Sequence, residues 1–343
     1  MLQVRNQTPF VTALGVFADR DGVDCVYAVV KATFRTENGQ VIPSDEQLPV
    51  VPVDEYWDDP ESSSLKHACE MTLMKPATDV LMTGHAYAPG QGARQSAVRL
   101  RVGPVEKTVW VYGSRLWLPG VTGFSLSEAK PFQKIPLQYE FAFGGVDVAP
   151  IDENRPDYEP RNPVGRGLIP MRSHRSAKSM LLPNLEDPKH LMRSPLDRPA
   201  PACFAPVAPH WEPRRSYAGT YDENWAANRA PFLPLDFDER FLQCAPPGLV
   251  ADGYLAGNEP VEIVGATPHQ PWRFTLPGCT INVTFAHDRR TIDRAPVLDT
   301  LHFEPDHQRF TMIWRTSLPV DKRLARMKEV VVECAEFPKR SAA

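Results

Sequence analysis

The stretch VTALGVFADRDGVDCVYAVVKATFRTENGQVI, residues 11–42, contains three apolar runs separated by two turn sequences. The runs are rich in β-branched residues, and the interruptions contain an Asp-Gly and an Asn-Gly pair. Such pairs are the strongest short-range indicators of a tight hairpin, because both residues tolerate the positive φ angles that hairpin turns require. The stretch therefore predicts a meander of antiparallel strands near the start of the chain.

The same patterning continues along the chain. The apolar residues Val98, Leu100 and Val102 alternate with arginines, as expected of a strand with one buried and one solvent-exposed face. The C-terminal third again contains strand-like runs, PVEIVGATPHQPWRFTLPG (260–278), TINVTFAHDRR (280–290) and KEVVVECAEF (328–337). The sequence therefore predicts a mainly β fold of antiparallel, sandwich-like sheets, with long Pro-rich ordered loops and a few short helices.

Proline sets the domain organisation. It accounts for 36 of the 343 residues, and 15 of these lie between residues 150 and 234, where they exclude regular ladders. Because this span also carries several aromatic residues, an ordered loop layer packed on the β core is favoured over a mobile linker. The predicted units are 1–149, 150–234 and 235–343, and all three can form a single domain.

Composition argues against several classes of partner. The formal net charge is -4, with 38 basic and 42 acidic residues intermixed, so neither nucleic acid nor a membrane is predicted as a partner. Six cysteines lie far apart without a CxxC pair, which favours reduced thiols in the cytoplasm. The chain starts without a signal-peptide pattern, and no run approaches the ~18 apolar residues of a membrane span. A cytoplasmic protein is expected.

Motifs that indicate catalysis or a cofactor are missing. The sequence has no P-loop, no GxGxxG after a strand, no HExxH and no GxSxG. His67, Cys69 and His85 could share one side of a predicted strand pair, but neither their spacing nor their number favours a metal site. We therefore predict no cofactor, no metal and no enzymatic activity.

One segment remains a candidate for chemistry. AGTYDENWAANRAPFLPLDFDERF, residues 218–241, combines five carboxylates with five aromatic side chains. Thr220 followed by Glu223 fits a capping box, which predicts a short helix over residues 221–229 with Asp222 in its first turn. Asp236, three residues before Glu239, predicts a second short helical turn.

Two functional hypotheses remain open for this segment. A carbohydrate-active hydrolase would use two carboxylates among residues 222–239, about 5–10 Å apart across a sugar-sized cleft. A binding surface would instead use aromatic side chains as anchors, since Trp and Tyr dominate the energetics of protein interfaces. Helix capping alone already accounts for most of the acids.

Motifs along nearly the whole chain resemble the family catalogued as domain of unknown function 2169. These motifs are NQTPF (6–10), KATF (31–34), YEFAFGG (139–145), NPVGRG (162–167), LPNLEDP (182–188), PACFAP (201–206), WEPR (211–214), AGTYDENW (218–225) and PLDFDERF (234–241). One position departs from the family pattern, because Phe141 stands where Arg is common.

The resemblance implies a role in bacterial type VI secretion. Members of the family are associated with that machinery as cytoplasmic adaptors or chaperones that help to load an effector, often one with a PAAR domain, onto the VgrG spike. The expected partners are therefore a secreted effector and the VgrG or PAAR protein. A structural component secreted with the machine is a further alternative.

Candidate site residues follow from the motifs and from residue type. We predict partner contacts by aromatic anchors and by arginines of the basic run RNPVGRGLIPMRSHRSAK (161–178), namely Tyr221, Trp225, Phe232, Trp211, Arg166 and Arg172. For the basic run, a solvated loop is the competing and favoured interpretation. For Trp225 the core is the competing and favoured location. A second set is predicted to support the fold through turns, caps and packing, namely Gly144, Gly145, Asn162, Asn184, Asp222, Asp236 and Phe237.

Overall fold

The computed structural model describes residues 3–37, 39–120, 123–147, 157–169, 180–268 and 270–336. Within these ranges, the protein is mainly β, with antiparallel sheets and little helix, as the alternation of the sequence predicts. The strands in chain order are β1 (Gln3–Asn6), β2 (Val11–Ala18), β3 (Asp24–Glu37), β4 (Gln40–Pro43), β5 (Glu55–Tyr56), β6 (Leu65–His67), β7 (Asp79–Met82), β8 (His85–Tyr87), β9 (Gln95–Val102), β10 (Val105–Tyr112), β11 (Trp117–Gly120), β12 (Gly123–Leu126), β13 (Lys134–Pro136), β14 (Phe143–Gly144), β15 (Arg166–Gly167), β16 (Leu185–Glu186), β17 (Pro260–Val264), β18 (Trp272–Thr275), β19 (Thr280–His287), β20 (Arg290–Arg294), β21 (Val297–Glu304), β22 (Arg309–Pro319) and β23 (Met327–Glu336).

The opening stretch forms the start of a six-stranded sheet. Its strands follow the order β2-β3-β22-β21-β7, and β4 pairs with the end of β3. The Asp-Gly turn joins β2 to β3 as an antiparallel hairpin, and Gly22 has a φ of +84° there. β3 is buried over ten consecutive residues, so both faces of the sheet are covered at its centre.

The two ends of the chain share every large sheet. A five-stranded sheet has the order β16-β10-β9-β17-β18, and a four-stranded sheet has the order β1-β23-β19-β20. Each combines strands from the first and last thirds of the chain, and β1 runs parallel to β23. The strands of the described residues 3–147 and 235–336 are therefore interleaved around a common core.

The core lies between the six-stranded and five-stranded sheets. Phe34 and Phe310 on one sheet stack with their ring centroids 5.4 Å apart, and Phe274 on the facing sheet lies 4.9 Å from Phe310. The indole Nε1 of Trp272 donates to Thr36 Oγ1 at 2.9 Å, which satisfies the polar atom of a ring buried for its apolar surface. These contacts give the sandwich-like packing that the alternation predicts.

The described parts of the Pro-rich span cover this core. Cys203, Phe204 and Ala205 are fully buried, and the amide of Met82 in β7 donates to the Phe204 carbonyl at 3.1 Å. A separate apolar cluster joins the span to β11 and β14 through Trp117, Phe143, Leu168, Ile169, Leu182 and Met192. Residues 157–169 and 180–234 thus contain long loops with buried positions, while residues 150–156 and 170–179 lie outside the described residues.

The helical content is small, as predicted. The α-helix α1 spans Glu223–Asn228, and single 3-10 turns occur at Tyr139–Phe141, Arg214–Tyr217, Glu239–Leu242, Pro305–His307 and Leu324–Arg326. Among the residues that the structure describes, none of the helices has the length and apolar character needed to cross a bilayer.

Candidate partner-binding site

The segment 218–241 folds by short-range capping, with partners that differ from the predicted ones. Asp222, rather than Thr220, is the N-cap of α1, and its Oδ1 accepts the Trp225 amide at 2.8 Å. Thr220 instead donates its hydroxyl to Asp236 Oδ2 at 2.7 Å and its amide to Asp236 Oδ1 at 3.0 Å. The capping-box prediction is therefore corrected, because Asp236 engages the hydroxyl that was expected to cap α1.

The second turn also begins later than predicted. It spans Glu239–Leu242, and its N-cap is Asp238, whose Oδ1 accepts the Arg240 amide at 2.9 Å. Asp236 lies outside the turn and joins the two ends of the segment through Thr220. The Thr220–Asp236 contact closes the loop that contains α1.

Three of the five carboxylates of this segment, those of Asp222, Asp236 and Asp238, already accept hydrogen bonds within the segment. Hydrogen bonds from Thr220 hold the pKa of Asp236 below its usual value, and hydrogen bonds from Arg240 lower that of Asp238. A glycosidase needs one carboxyl group whose pKa is raised so that it can act as a general acid. The pKa values of Asp236 and Asp238 are shifted in the opposite direction, so these two carboxylates give no support to the hydrolase hypothesis.

The aromatic side chains of the segment divide between surface and core. Tyr221 is 53% exposed and lies edge-on to the half-buried Trp225, with the ring centroids 4.7 Å apart. Phe232 is 38% exposed, whereas Phe237 is buried at 3% and packs edge-on against Phe241. Tyr221 and Phe232 are thus accessible to a partner, while Phe237 supports the fold as expected.

An apolar groove opens between this segment and strand β2. Its first part has a volume of about 380 Å³ and is lined mainly by Phe17, Met71, Leu73, Pro231, Phe232, Leu233 and Phe241. Its second part, of about 500 Å³, shares Leu73 and Phe237 with the first and adds Leu235, Tyr27 and the charged groups at the β2–β3 turn. We refer to both parts together as the apolar groove. Leu235 projects beside it with 79% of its surface exposed.

The position of the groove follows from how the six-stranded sheet is covered. Odd-numbered residues of β3 and β22 face away from the aromatic core, and several of them are charged. Segment 47–75 covers most of this face with polar contacts, including the ion pair between Lys31 and Glu70 at 2.6 Å. Near Tyr27 and Ser317 the cover ends, and the groove begins.

Directional bonds fix the floor of the groove. The guanidinium of Arg315 in β22 donates to the carbonyls of Glu70 at 2.7 Å and Thr72 at 2.9 Å, on either side of Met71. It also pairs with Asp299 in β21, and both side chains are almost fully buried. The buried Arg315, together with the Lys31–Glu70 ion pair, therefore holds the backbone around Met71 on the sheet.

The charged side chains at the end of the groove differ in their partners. Arg20 Nη2 donates to the Leu235 carbonyl, and Arg229 donates to the carbonyls of Leu233 and Arg20, so both arginines support the wall of the groove. The exposed carboxylates of Asp21 and Glu239 line the same part of the groove. Neither carboxylate forms an ion pair within the described chain.

Two of the predicted partner contacts have internal roles, and a third cannot be placed. Trp211 is 1% exposed and packs edge-on against Tyr139 with their centroids 5.5 Å apart, so its prediction as a surface anchor is corrected. Arg166 stacks on the Phe141 ring at 4.2 Å and donates to the Glu140 carbonyl at 2.6 Å, so its guanidinium is used within the fold. Arg172 lies outside the described residues.

The residues predicted to support the fold meet at one junction. Asn162 is fully buried and donates to the carbonyls of Tyr139 at 2.8 Å and Phe143 at 3.0 Å. A Cβ on Gly144 would lie 2.1 Å from the Asn162 carbonyl oxygen, and Gly145 adopts a φ of +117°. The motifs YEFAFGG and NPVGRG are therefore interlocked, and their sequence requirements are structural.

Asn184 belongs to the same supporting set. Its Nδ2 donates to the Tyr112 carbonyl at 2.8 Å, and its Oδ1 accepts from Arg166 Nη1 at 3.2 Å. It therefore links β10 to the segment that precedes β16.

Other clusters of reactive side chains are buried structural contacts. The Cys244 thiol donates to Asp79 Oδ2 at 3.4 Å, and burial, as the main cause, raises its pKa to about 12, so the nucleophilic thiolate is disfavoured. His67 packs on His302 and His85 bonds Asp306, so these histidines do not converge with Cys69. Over the described ranges, no three potential metal ligands come together.

Sequence reasoning missed half of the groove. Phe17, Met71, Leu73 and Leu235 were not singled out, although Pro231 and Pro234 mark the run PFLPL (231–235) as a loop, where apolar residues can remain at the surface. Phe17 carries no such signal, because an alternating strand does not reveal which of its residues lies at an uncovered edge.

Comparison with known proteins gives one finding. Neither the curated proteins nor the solved structures contain a match to the chain. Residues 21–315 match the family model described as "Uncharacterized protein conserved in bacteria (DUF2169)". The matched region includes β3, β4, β7, β21 and the part of β22 up to Arg315 from the six-stranded sheet, together with the whole segment 218–241, and it begins after the end of β2. Because this match covers most of the chain, the protein belongs to the DUF2169 family.

Proposed function

We propose that the protein is a cytoplasmic, non-catalytic adaptor that binds a type VI secretion effector, often one linked to a PAAR domain, and helps to load it onto the VgrG spike. The chain-long set of motifs described above supports this proposal through the role that the resemblance implies. The buried or capping roles of the reactive side chains are compatible with a protein that works by binding.

The apolar groove is the observation that carries the proposal. Phe17 and Phe232, 37% and 38% exposed, line the first part of the groove, and Leu235, 79% exposed, lines the second part, which shares Leu73 and Phe237 with the first. Contiguous apolar surface of this kind is uncommon on a protein without a partner, and aromatic side chains within it are typical interface anchors. The polar groups around it, including Asp21 and Glu239, would form the rim of such an interface.

Binding assays with a type VI effector and a VgrG spike protein from the same bacterium test the proposal. We expect the wild-type protein to co-purify with at least one of them. Leu235→Asp should weaken that binding by at least about tenfold, because it places a charge in an apolar contact, which corresponds to ~1.4 kcal/mol. Leu196→Asp is the matched control, since Leu196 is also exposed, at 48%, but lies in the Pro-rich span away from the groove.

Two results would contradict the adaptor role. One is a wild-type protein that binds neither candidate partner. The other is normal secretion of the effector after this chain has been deleted. Recovery of the chain itself in the secreted fraction would instead favour a structural component of the machine.

A further inference from the structure

Strand β2 forms an edge of the six-stranded sheet, and its backbone hydrogen bonds show which residues face outward. The Asp19 amide donates to the Val23 carbonyl at 2.9 Å, next to the paired residues Ala18 and Asp24. Hydrogen-bonded pairs alternate along an antiparallel ladder, so the odd-numbered residues of β2 bond to β3. On the other side of β3, the Val320 amide donates to the Asp24 carbonyl at 2.8 Å, which fixes the same alternation independently.

The even-numbered residues of β2 therefore present their backbone groups outward. These residues are Thr12, Leu14, Val16 and Ala18. Within the described ranges of the chain, no hydrogen bond engages their N–H or C=O groups. Strand β2 thus offers four donors and four acceptors in a row, which is the pattern that an additional strand would complete.

This edge lacks the features that usually prevent pairing. The eight residues VTALGVFA contain neither a charge nor a proline, whereas the edge strand β20 has the sequence RTIDR. The opposite edge of the same sheet is covered, since the Phe204 carbonyl accepts the Met82 amide of β7. Soluble proteins generally protect exposed edges with charges, prolines or bulges. An unprotected edge beside an apolar groove indicates a binding function.

The groove specifies the side chains of the added strand. Phe17 points to the groove face of β2, and its ring folds back over Gly15, where a Cβ would lie 2.4 Å from the ring. A neighbouring strand would direct every second side chain to the same face, alongside Phe17 and Phe232. At the Ala18 end, the carboxylates of Asp19, Asp21 and Glu239 outnumber the guanidinium groups of Arg20 and Arg229 by one, which leaves a small excess of negative charge. Apolar residues at alternate positions, followed by a basic residue, match this surface.

We propose that the partner binds by strand addition: an extended segment of the effector or spike protein, apolar at every second position and basic at one end, pairs with the outer edge of β2 and places its side chains in the apolar groove. This inference rests on the proposed adaptor function and specifies how the same site recognises its partner. Main-chain bonds hold the segment, and the groove selects its side chains.

Residue-resolved hydrogen exchange on the wild-type complex tests this geometry directly. The probe is the partner that co-purifies with the full-length protein, used at saturation. Strand addition should slow exchange at the outward-facing amides of Leu14 and Val16 by at least about tenfold, while Gly15, already bonded to β3, should change little. Uniform protection of all three amides, or none, would overturn the proposal, because contact through side chains alone has no reason to alternate.

A proline variant provides the second measurement. Val16→Pro removes one outward N–H, and the β2–β3 ladder should remain intact because that N–H has no partner in it. Binding should fall at least about tenfold, whereas Val16→Ala, which keeps the N–H, should bind within about threefold of wild type. Equal binding by Val16→Pro and wild type would refute strand addition while leaving the adaptor function standing.

The remaining outcomes are also decisive. If no candidate partner binds the wild-type protein, the adaptor function itself fails and strand addition fails with it. If the isolated protein dimerises, and Val16→Pro but not Val16→Ala abolishes the dimer, the edge pairs with a second copy of the chain and the proposed partner segment is wrong. Analytical ultracentrifugation of the three proteins distinguishes these cases.

Discussion

Replacing Arg315 tests whether the covered face of the six-stranded sheet holds the groove in shape. In Arg315→Met, the carboxylate of Asp299 would remain buried without its charged partner, which costs about 3–5 kcal/mol. The carbonyls of Glu70 and Thr72 would each lose a buried donor, at about 1 kcal/mol or more apiece. We therefore expect a loss of roughly 5–7 kcal/mol, a large part of the stability of a typical domain.

The matched control is Arg309→Met on the same strand. Arg309 pairs with Glu304 at 2.6 Å, but the two side chains keep 27% and 13% of their surface exposed, so water can partly replace the lost contact. We expect a loss of about 1 kcal/mol. Urea unfolding followed by tryptophan fluorescence measures both variants. The reasoning is refuted if the two differ by less than about 1 kcal/mol.

The double variant Arg315→Met/Asp299→Leu separates stability from groove shape. Removing both charges should restore most of the lost stability, since a well-packed apolar pair often equals a buried ion pair. The carbonyls that flank Met71 would still lack their donor, so the floor of the groove should stay altered. Partner binding should therefore remain weaker than in Arg309→Met, even at similar stability.

Three further variants test individual assignments by the same unfolding assay. Burial, as the main cause, lowers the pKa of His302 to about 3, whereas the pKa of a histidine in the unfolded chain is near 6.5. The unfolded chain therefore binds a proton that the folded protein does not, and the free energy of unfolding should fall as the pH drops below 6.5. His302→Gln should remove about 2 kcal/mol of the loss between pH 7 and pH 5. Gly144→Ala should lower the free energy of unfolding by about 2–3 kcal/mol, because its Cβ would overlap a backbone oxygen. Gly90→Ala is the control: no atom lies within 4 Å of its new Cβ, so its free energy of unfolding should stay within about 0.5 kcal/mol of wild type. Equal losses would show that close approach is not the cause. Trp211→Ala should cost about 3–5 kcal/mol and the half-exposed Trp225→Ala less than half of that, and the reverse order would contradict the core position of Trp211.

The sequence was informative where local physics decides the structure. Alternation places Val98, Leu100 and Val102 on the buried face of β9, and the Asp-Gly turn joins β2 to β3. Pairing between distant segments was not predictable, because the apolar pattern of β3 is compatible with any apolar strand as its neighbour. Its actual partner, β22, lies some 280 residues along the chain. Nothing in either strand alone specifies that pairing.

In the candidate site, too, local features were predictable from the sequence and contacts between distant residues were not. A capping residue before α1 was predictable, but Thr220 and Asp222 both satisfy the local preference, and only the distant contact with Asp236 decides between them. Trp211 and Phe232 are both aromatic residues beside prolines, yet one is buried and the other exposed. Residue type therefore gives candidate anchors, and the packing of the sheet cover decides which of them reach the surface.

The way in which the sheet is covered also explains how a groove can lie beside an open edge without collapsing. An apolar cover would tend to close over Phe17 and Phe232 to bury them, since such packing has little directional preference. Here the cover is bonded by Lys31, Arg315 and the side chain of Gln47, which binds both backbone groups of Thr33 in β3. Directional bonds fix the position of segment 47–75 and prevent it from sliding toward β2. The apolar residues at the edge consequently stay exposed until another chain covers them, which is the condition that strand addition requires.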